Sequence, residues 1–152
     1  MKLHVIIYLS LLLFAGSGCS DFLDVQPKDK QSEEQLFATR GGFYTAVNGI
    51  YNKLASSSLY GKNLTYEMID ILAFRYTPLS VNKYYTALVK PDYTDETVEA
   101  NLSSIWSSAY ATILNCNVLL KNLEISTGVL NEQEKKVLTG EALALRAFLH
   151  LD

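Results

Sequence analysis

The feature that most constrains this chain is an apolar repeat running for about eight helical turns. Val98, Leu102, Ile105, Ala109, Ile113, Cys116, Leu120 and Leu123 recur at threes and fours, the spacing of one helical face. Trp106 and Tyr110 widen the stripe, which assigns both rings to the core. Asp95 and Glu96 stand at its start, where the helix dipole favours carboxylates, and Gly128 marks its end. A helix this long does not suit a small globule. It belongs with helical hairpins stacked on one another, and the fold class is therefore all-α.

Shorter stretches fit that reading. Ser32-Glu33-Glu34-Gln35 has the capping-box pattern and predicts a first turn through Phe37. Phe43, Ala46, Val47, Ile50, Tyr51 and Leu54 form one helical face, with Thr39 placed to start the helix and Ser56-Ser57-Ser58 to end it. Leu64, Met68, Ile71 and Leu72 predict a helix over residues 63–74. From Arg75 to Tyr93 the period stops, and Pro78 and Pro91 predict a long loop with a short extended piece around Tyr84 to Val89. Asn131-Glu132-Gln133-Glu134 opens a last helix with a cap and a carboxylate three residues later. Its face is Val137, Leu138, Ala142, Leu145, Phe148 and Leu149, and it reaches Asp152 without a stop signal. Stacked hairpins need neighbours, so the expectation is a fragment or a truncated gene product, marginal or aggregating when isolated.

The N-terminus reads as an export signal. Lys2 is followed by an apolar run from Val5 to Ala15, then Gly16-Ser17-Gly18-Cys19. The run is shorter than the roughly 20 residues a membrane span requires. A cysteine directly after small residues suits a lipoprotein signal cut before a diacylated thiol, although Gly16 stands where Leu is usual. The alternative is an ordinary cut near Gly18 that leaves Cys19 a plain thiol, free to pair with Cys116. The expected organisation is a leader over 1–18, a lipidated tether over 19–31 and a partial helical domain over 32–152.

Composition narrows the chemistry. The charge is −3, with 13 basic and 16 acidic residues and no basic block, which argues against nucleic acid. Two Cys and two His, His4 and His150, exclude a zinc cage, so no metal or cofactor is expected. Asp92, Asp95 and Glu96 cluster as glycosidase carboxylates do, but acids at a helix start are explained by the dipole. With His150 the single imidazole after cleavage and no nucleophile marked by spacing, no enzyme is expected. Glu141 is the nearest carboxylate in sequence for Arg146, and that pair is read as structural.

Four stretches together carry a resemblance. They are Cys19-Ser20-Asp21-Phe22-Leu23-Asp24-Val25-Gln26-Pro27; Ala46-Val47-Asn48-Gly49-Ile50-Tyr51-Asn52; Trp106 with Tyr110, Ile113 and Asn117; and residues 140–148, Gly-Glu-Ala-Leu-Ala-Leu-Arg-Ala-Phe. In that order and spacing the chain resembles the N-terminal part of the SusD/RagB family, the surface lipoproteins of Bacteroidetes nutrient uptake. The resemblance implies a scaffold similar to tetratricopeptide hairpins, incomplete in this chain. It further implies a lipid-anchored outer-membrane protein that captures oligosaccharides and delivers them to a SusC-like TonB-dependent transporter. Open alternatives are capture of peptides, a lipid-anchored module that contacts only proteins, or a truncated paralogue without function.

In that family the segment between the two best helices contributes ligand contacts. Six of the ten tyrosines lie there: Tyr60, Tyr66, Tyr76, Tyr84, Tyr85 and Tyr93. Tyr rings stack on sugar faces, and Asp70, Arg75 and Asn82 suit sugar hydroxyls. The expected ligand set is Asp70, Arg75, Tyr76, Asn82, Tyr84 and Tyr85, with Cys19 the lipidation site. The competing expectation is that these tyrosines only pack the loop onto the helices.

Overall fold

The computed structural model describes residues 32–75 and 82–152. The expected leader, the tether with Cys19, and Tyr76 lie outside the described residues. Among the described residues six helices follow in order: α1 (Glu33–Phe37), α2 (Arg40–Leu54), α3 (Met68–Leu72), α4 (Lys83–Val89), α5 (Glu96–Ile125) and α6 (Glu132–Leu151). No strand occurs among the described residues, so this part of the chain is all-α.

The helices start where local hydrogen bonding dictates. The Thr39 side chain accepts from the Gly42 N–H at 3.1 Å, and the Asp95 carboxylate accepts from the Thr97 N–H at 2.9 Å. Asn131 and Glu134 form a reciprocal capping box: Asn131 accepts from the Glu134 N–H at 2.8 Å, and Glu134 accepts from the Asn131 N–H at 3.1 Å. The turn between α1 and α2 is tight enough to require a glycine. A Cβ at Gly42 would fall on the Leu36 carbonyl oxygen.

Two apolar clusters hold the helices. In the larger, α2 supplies Phe43, Val47, Ile50 and Leu54, α5 supplies Ile113, Cys116, Leu119 and Leu123, and α6 supplies Leu138, Ala142 and Leu149. In the smaller, Met68 and Ile71 of α3, Ala87 and Leu88 of α4 and Val98 of α5 meet. Each fully buried side chain of this size contributes about 1.5–3 kcal/mol relative to exposure.

Four expectations are corrected. The second helix begins at Met68, not Asn63, because residues 56–66 wind through tight turns: Tyr60 N–H reaches Leu54 C=O and Gly61 N–H reaches Ser56 C=O, both at 3.0 Å. Buried Leu59 anchors those turns. The piece around Tyr84 is helical rather than extended. Tyr84, Ala87 and Leu88 fall at i, i+3 and i+4, and packing on Met68, Ile71 and Val98 outweighs the strand preference of paired tyrosines. Helix α5 stops at Ile125, capped by extended Ser126, so Gly128 with φ +74° belongs to the connection and not to the helix end. Arg146 does not pair with Glu141; it donates to Asn117 Oδ1 at 2.8 Å.

Candidate functional site

Of the residues expected to contact ligand, Asp70, Arg75, Asn82, Tyr84 and Tyr85 have partners within the protein. Asp70 faces Arg75 at 3.4 Å, an ion pair at the end of α3. Asn82 is the N-cap of α4, accepting from the Tyr84 N–H at 2.8 Å. Tyr84 and Tyr85 are half-buried with ring centroids 5.3 Å apart, and both pack on the smaller cluster. The Tyr85 hydroxyl donates to Glu67 at 2.7 Å, and Lys62 pairs with the other Glu67 oxygen at 2.9 Å. Lys83 then faces Asp95 at 3.3 Å. Hydrogen bonds from Thr97, with Lys83 adding to them, hold the Asp95 carboxyl below its ordinary range. Of the expected set, Asp70 and Arg75 come together, as do Asn82, Tyr84 and Tyr85.

Helix α3 ends in a Schellman motif. Phe74 N–H reaches Ile71 C=O at 3.0 Å and Arg75 N–H reaches Asp70 C=O at 2.9 Å. The left-handed position of that motif is filled by Phe74 at φ 54°, where glycine is usual. Its ring stands exposed beside Arg75.

A second feature escaped the sequence reading. Trp106 and Tyr110 do not enter the core; Trp106 is 67% and Tyr110 48% exposed. They stack on each other one turn apart on α5, centroids 4.8 Å apart at 37°. The two rings form the open wall of a cleft of about 650 Å³ between the turns after α2 and the last turns of α6. Such a volume lies within the range usual for small-molecule sites. Leu64, Ile69, Leu102, Ile105, Ala109 and Leu149 form its aliphatic lining. The polar groups are Tyr60, His150 and Asp152. The His150 ring sits edge-on to Tyr110, 6.3 Å between centroids. Tyr60 stacks on Phe148 at 5.1 Å and donates its hydroxyl to Asp152. Burial, reinforced by Asp152, pushes the Tyr60 phenol well above its ordinary range, so it stays a donor at any physiological pH. Period alone could not find this wall, because a wide apolar stripe does not show which edge a neighbour covers.

The acids that suggested a carboxylate pair have local tasks. Asp92 accepts from the Thr94 N–H and hydroxyl at 3.1 and 2.8 Å, and Asp95 caps α5. Among the described residues no three His, Cys, Asp or Glu side chains gather as a metal site. No helix among them is long and apolar enough to cross a membrane.

Comparison with known proteins identifies the family. The family model described as "Starch-binding associating with outer membrane" matches residues 21–152, and the chain belongs to the SusD-like family. It is similar to SusD-like protein P25 of Formosa agariphila, 24% identical over 99% of this chain. It is also similar to SusD-like protein P2 of the same organism, 28% identical over 99% of this chain. The chain spans 29% of the length of each of these relatives. No solved structure matches it.

Proposed function

We propose that this protein is a surface lipoprotein of the outer membrane that captures oligosaccharides and delivers them to a SusC-like TonB-dependent transporter. The observation that carries the reading is the family match over residues 21–152, whose description couples starch binding to the outer membrane. Cys19, placed directly after small residues, is the anchor. The role is binding rather than catalysis. The neighbouring acids of the α5 start are committed to a turn and a cap.

The ligand-facing residues of this reading are Asp70, Arg75, Tyr76, Asn82, Tyr84 and Tyr85. Arg75 and Asn82 are exposed, and Tyr84 and Tyr85 are half-buried.

Two measurements on native protein extracted from membranes test the proposal. The mass of its N-terminal peptide should show acyl chains on Cys19; an unmodified thiol there contradicts the anchor. Electrophoresis through gels containing soluble starch should retard the protein relative to a starch-free gel. Equal mobility with starch and with a panel of other polysaccharides contradicts the capture.

A further inference from the structure

We infer that Asn63 and Asn101 are positioning residues: their amide pair sets where α3 sits on α5, and through α3 the placement of the Asp70–Arg75 pair against Asn82, Tyr84 and Tyr85. The inference rests on the reading above, which puts ligand contacts on those residues, and adds the groups that hold them in place.

The first argument is what α3 lacks. With five residues it is too short to hold itself as a helix, and its N-cap, Glu67, makes no side-chain capping bond. Its apolar contacts through Met68 and Ile71 are non-directional and leave its register on α4 and α5 open. Direction comes from two residues just ahead of it. Asn63 accepts from the Ile69 N–H on its carbonyl at 3.3 Å, and its Nδ2 donates to Asn101 Oδ1 on α5 at 3.0 Å. Glu67 accepts from the Tyr85 hydroxyl on α4 at 2.7 Å. One polar line therefore runs from α5 through the start of α3 to α4. The expected ligand residues stand at the far end of α3 and along α4.

The second argument is the fixed sense of the pair. Asn101 Nδ2 donates to the Thr97 carbonyl at 3.5 Å, one turn back on α5. Its Oδ1 is thereby turned to Asn63, and only a donor on Asn63 completes the bond. The pair has one satisfied arrangement, as a positioning contact requires.

The third argument is cost. Asn63 is 3% exposed, and its Oδ1 meets no hydrogen-bond donor among the described residues. An apolar side chain of similar size would avoid that penalty. A polar group kept in the interior against such a cost serves direction rather than stability. Because Asn63 is interior, its bond does not depend on what covers the outer surface of the helices.

The test uses the intact native protein and variants made in it. Soluble starch, and then each polysaccharide of the panel, is the probe in affinity gels. Hydrogen–deuterium exchange is read by mass spectrometry over α3 and α4, with α2 and α6 as reference. Asn63→Asp sets a second acceptor against Asn101 Oδ1. It should weaken binding by about tenfold and speed exchange over α3 and α4, with α2 and α6 unchanged. Asn101→Asp keeps an acceptor for Asn63 Nδ2 and should retain binding within about twofold. Where Asn63→Asp does not fold, Asn63→Ala is read in the same way. Unchanged binding in Asn63→Asp, while the parent protein binds, overturns the inference and leaves the proposed function standing. Equal losses in the two Asp variants, or faster exchange in α2 and α6 as well, make the pair a general structural bond and also overturn it. Failure of both Asn63 variants to fold has the same meaning. A parent protein that no polysaccharide retards removes the proposed function and this inference together.

Discussion

Tyr51 and Glu141, 90 residues apart in sequence, share a hydrogen bond of 2.6 Å that joins α2 to α6. The bond uses the carboxylate that sequence proximity had assigned to Arg146, and it is part of a polar seam. Arg40 and Tyr44 reach Glu134 from the same two helices, at 2.5 and 3.2 Å. The apolar cluster beneath binds α2, α5 and α6 into one body, and the seam sets the register of α2 against α6. Because the seam is exposed, each bond is worth little singly.

Tyr51→Phe removes the donor and leaves the ring. It should cost about 0.5–1 kcal/mol, read as a small fall in Tm. The Tyr51 phenol is held above its ordinary range, mainly by its bond to Glu141. Spectroscopic titration should therefore find Tyr51 among the tyrosines that ionise late in the native protein, with Tyr60, and one fewer of them in Glu141→Gln. No change on Glu141→Gln would show that the bond is not formed in solution.

Two glycines should respond in opposite directions to the same change. Gly42→Ala drives a Cβ into the Leu36 carbonyl and should cost about 2 kcal/mol or more. Gly140→Ala places a methyl in open space inside α6 and should stabilise by about 0.5–1 kcal/mol. Chemical denaturation of both variants tests the pair, and equal effects would contradict the tight α1–α2 turn.

Acid should destabilise the helical unit through depressed carboxyls. Glu134 is held below its ordinary 4.5, first by the hydrogen bond from Arg40, and Glu33 below 4.5, first by Asn122. A depressed folded pKa gives stability that is present above the unfolded value and lost as pH falls through the folded one. Tm should thus hold from pH 7 down to about 4.5 and fall below it. Glu134→Gln should lower Tm at neutral pH and flatten the acid limb. An unchanged limb would mean the Arg40 pair contributes nothing.

Cys116 lies fully buried between α2, α5 and α6, and burial pushes its thiol up. Alkylation at the Cys116 peptide should proceed only as fast as unfolding exposes it, and denaturant should speed it sharply. Rapid labelling of the native protein would contradict the packing of the main cluster.

The parts legible in sequence were those set by neighbouring residues. Thr39, Asp95 and Asn131 cap their helices because an oxygen two or three residues before a free N–H needs nothing distant to find it. Most of the α2 face was legible for a similar reason, since one cluster covers Phe43, Ala46, Val47, Ile50 and Leu54, while Tyr51 at the edge of that face stays exposed. Helix α5 is different. Its C-terminal half lies in the main cluster, while in its N-terminal half Val98 is buried in the small cluster and Ile105 and Ala109 reach the main one only partly buried. The stripe period is the same in both halves, so nothing local shows that Trp106 and Tyr110 face outward. Helices α3 and α4, of 5 and 7 residues, are too short for a period to declare them and exist because they pack on each other and on α5. The choice of Glu141's partner failed because a helix places Arg146 and Tyr51 by tertiary geometry, not by distance along the chain.

The central claim is capture of a glycan, and calorimetry of the intact, membrane-extracted protein against maltoheptaose and a panel of neutral and acidic oligosaccharides tests it most directly. The account predicts saturable binding to at least one glycan, weakened by substitution of the aromatic residues named here. A flat titration across the whole panel, from protein that unfolds cooperatively, would contradict it.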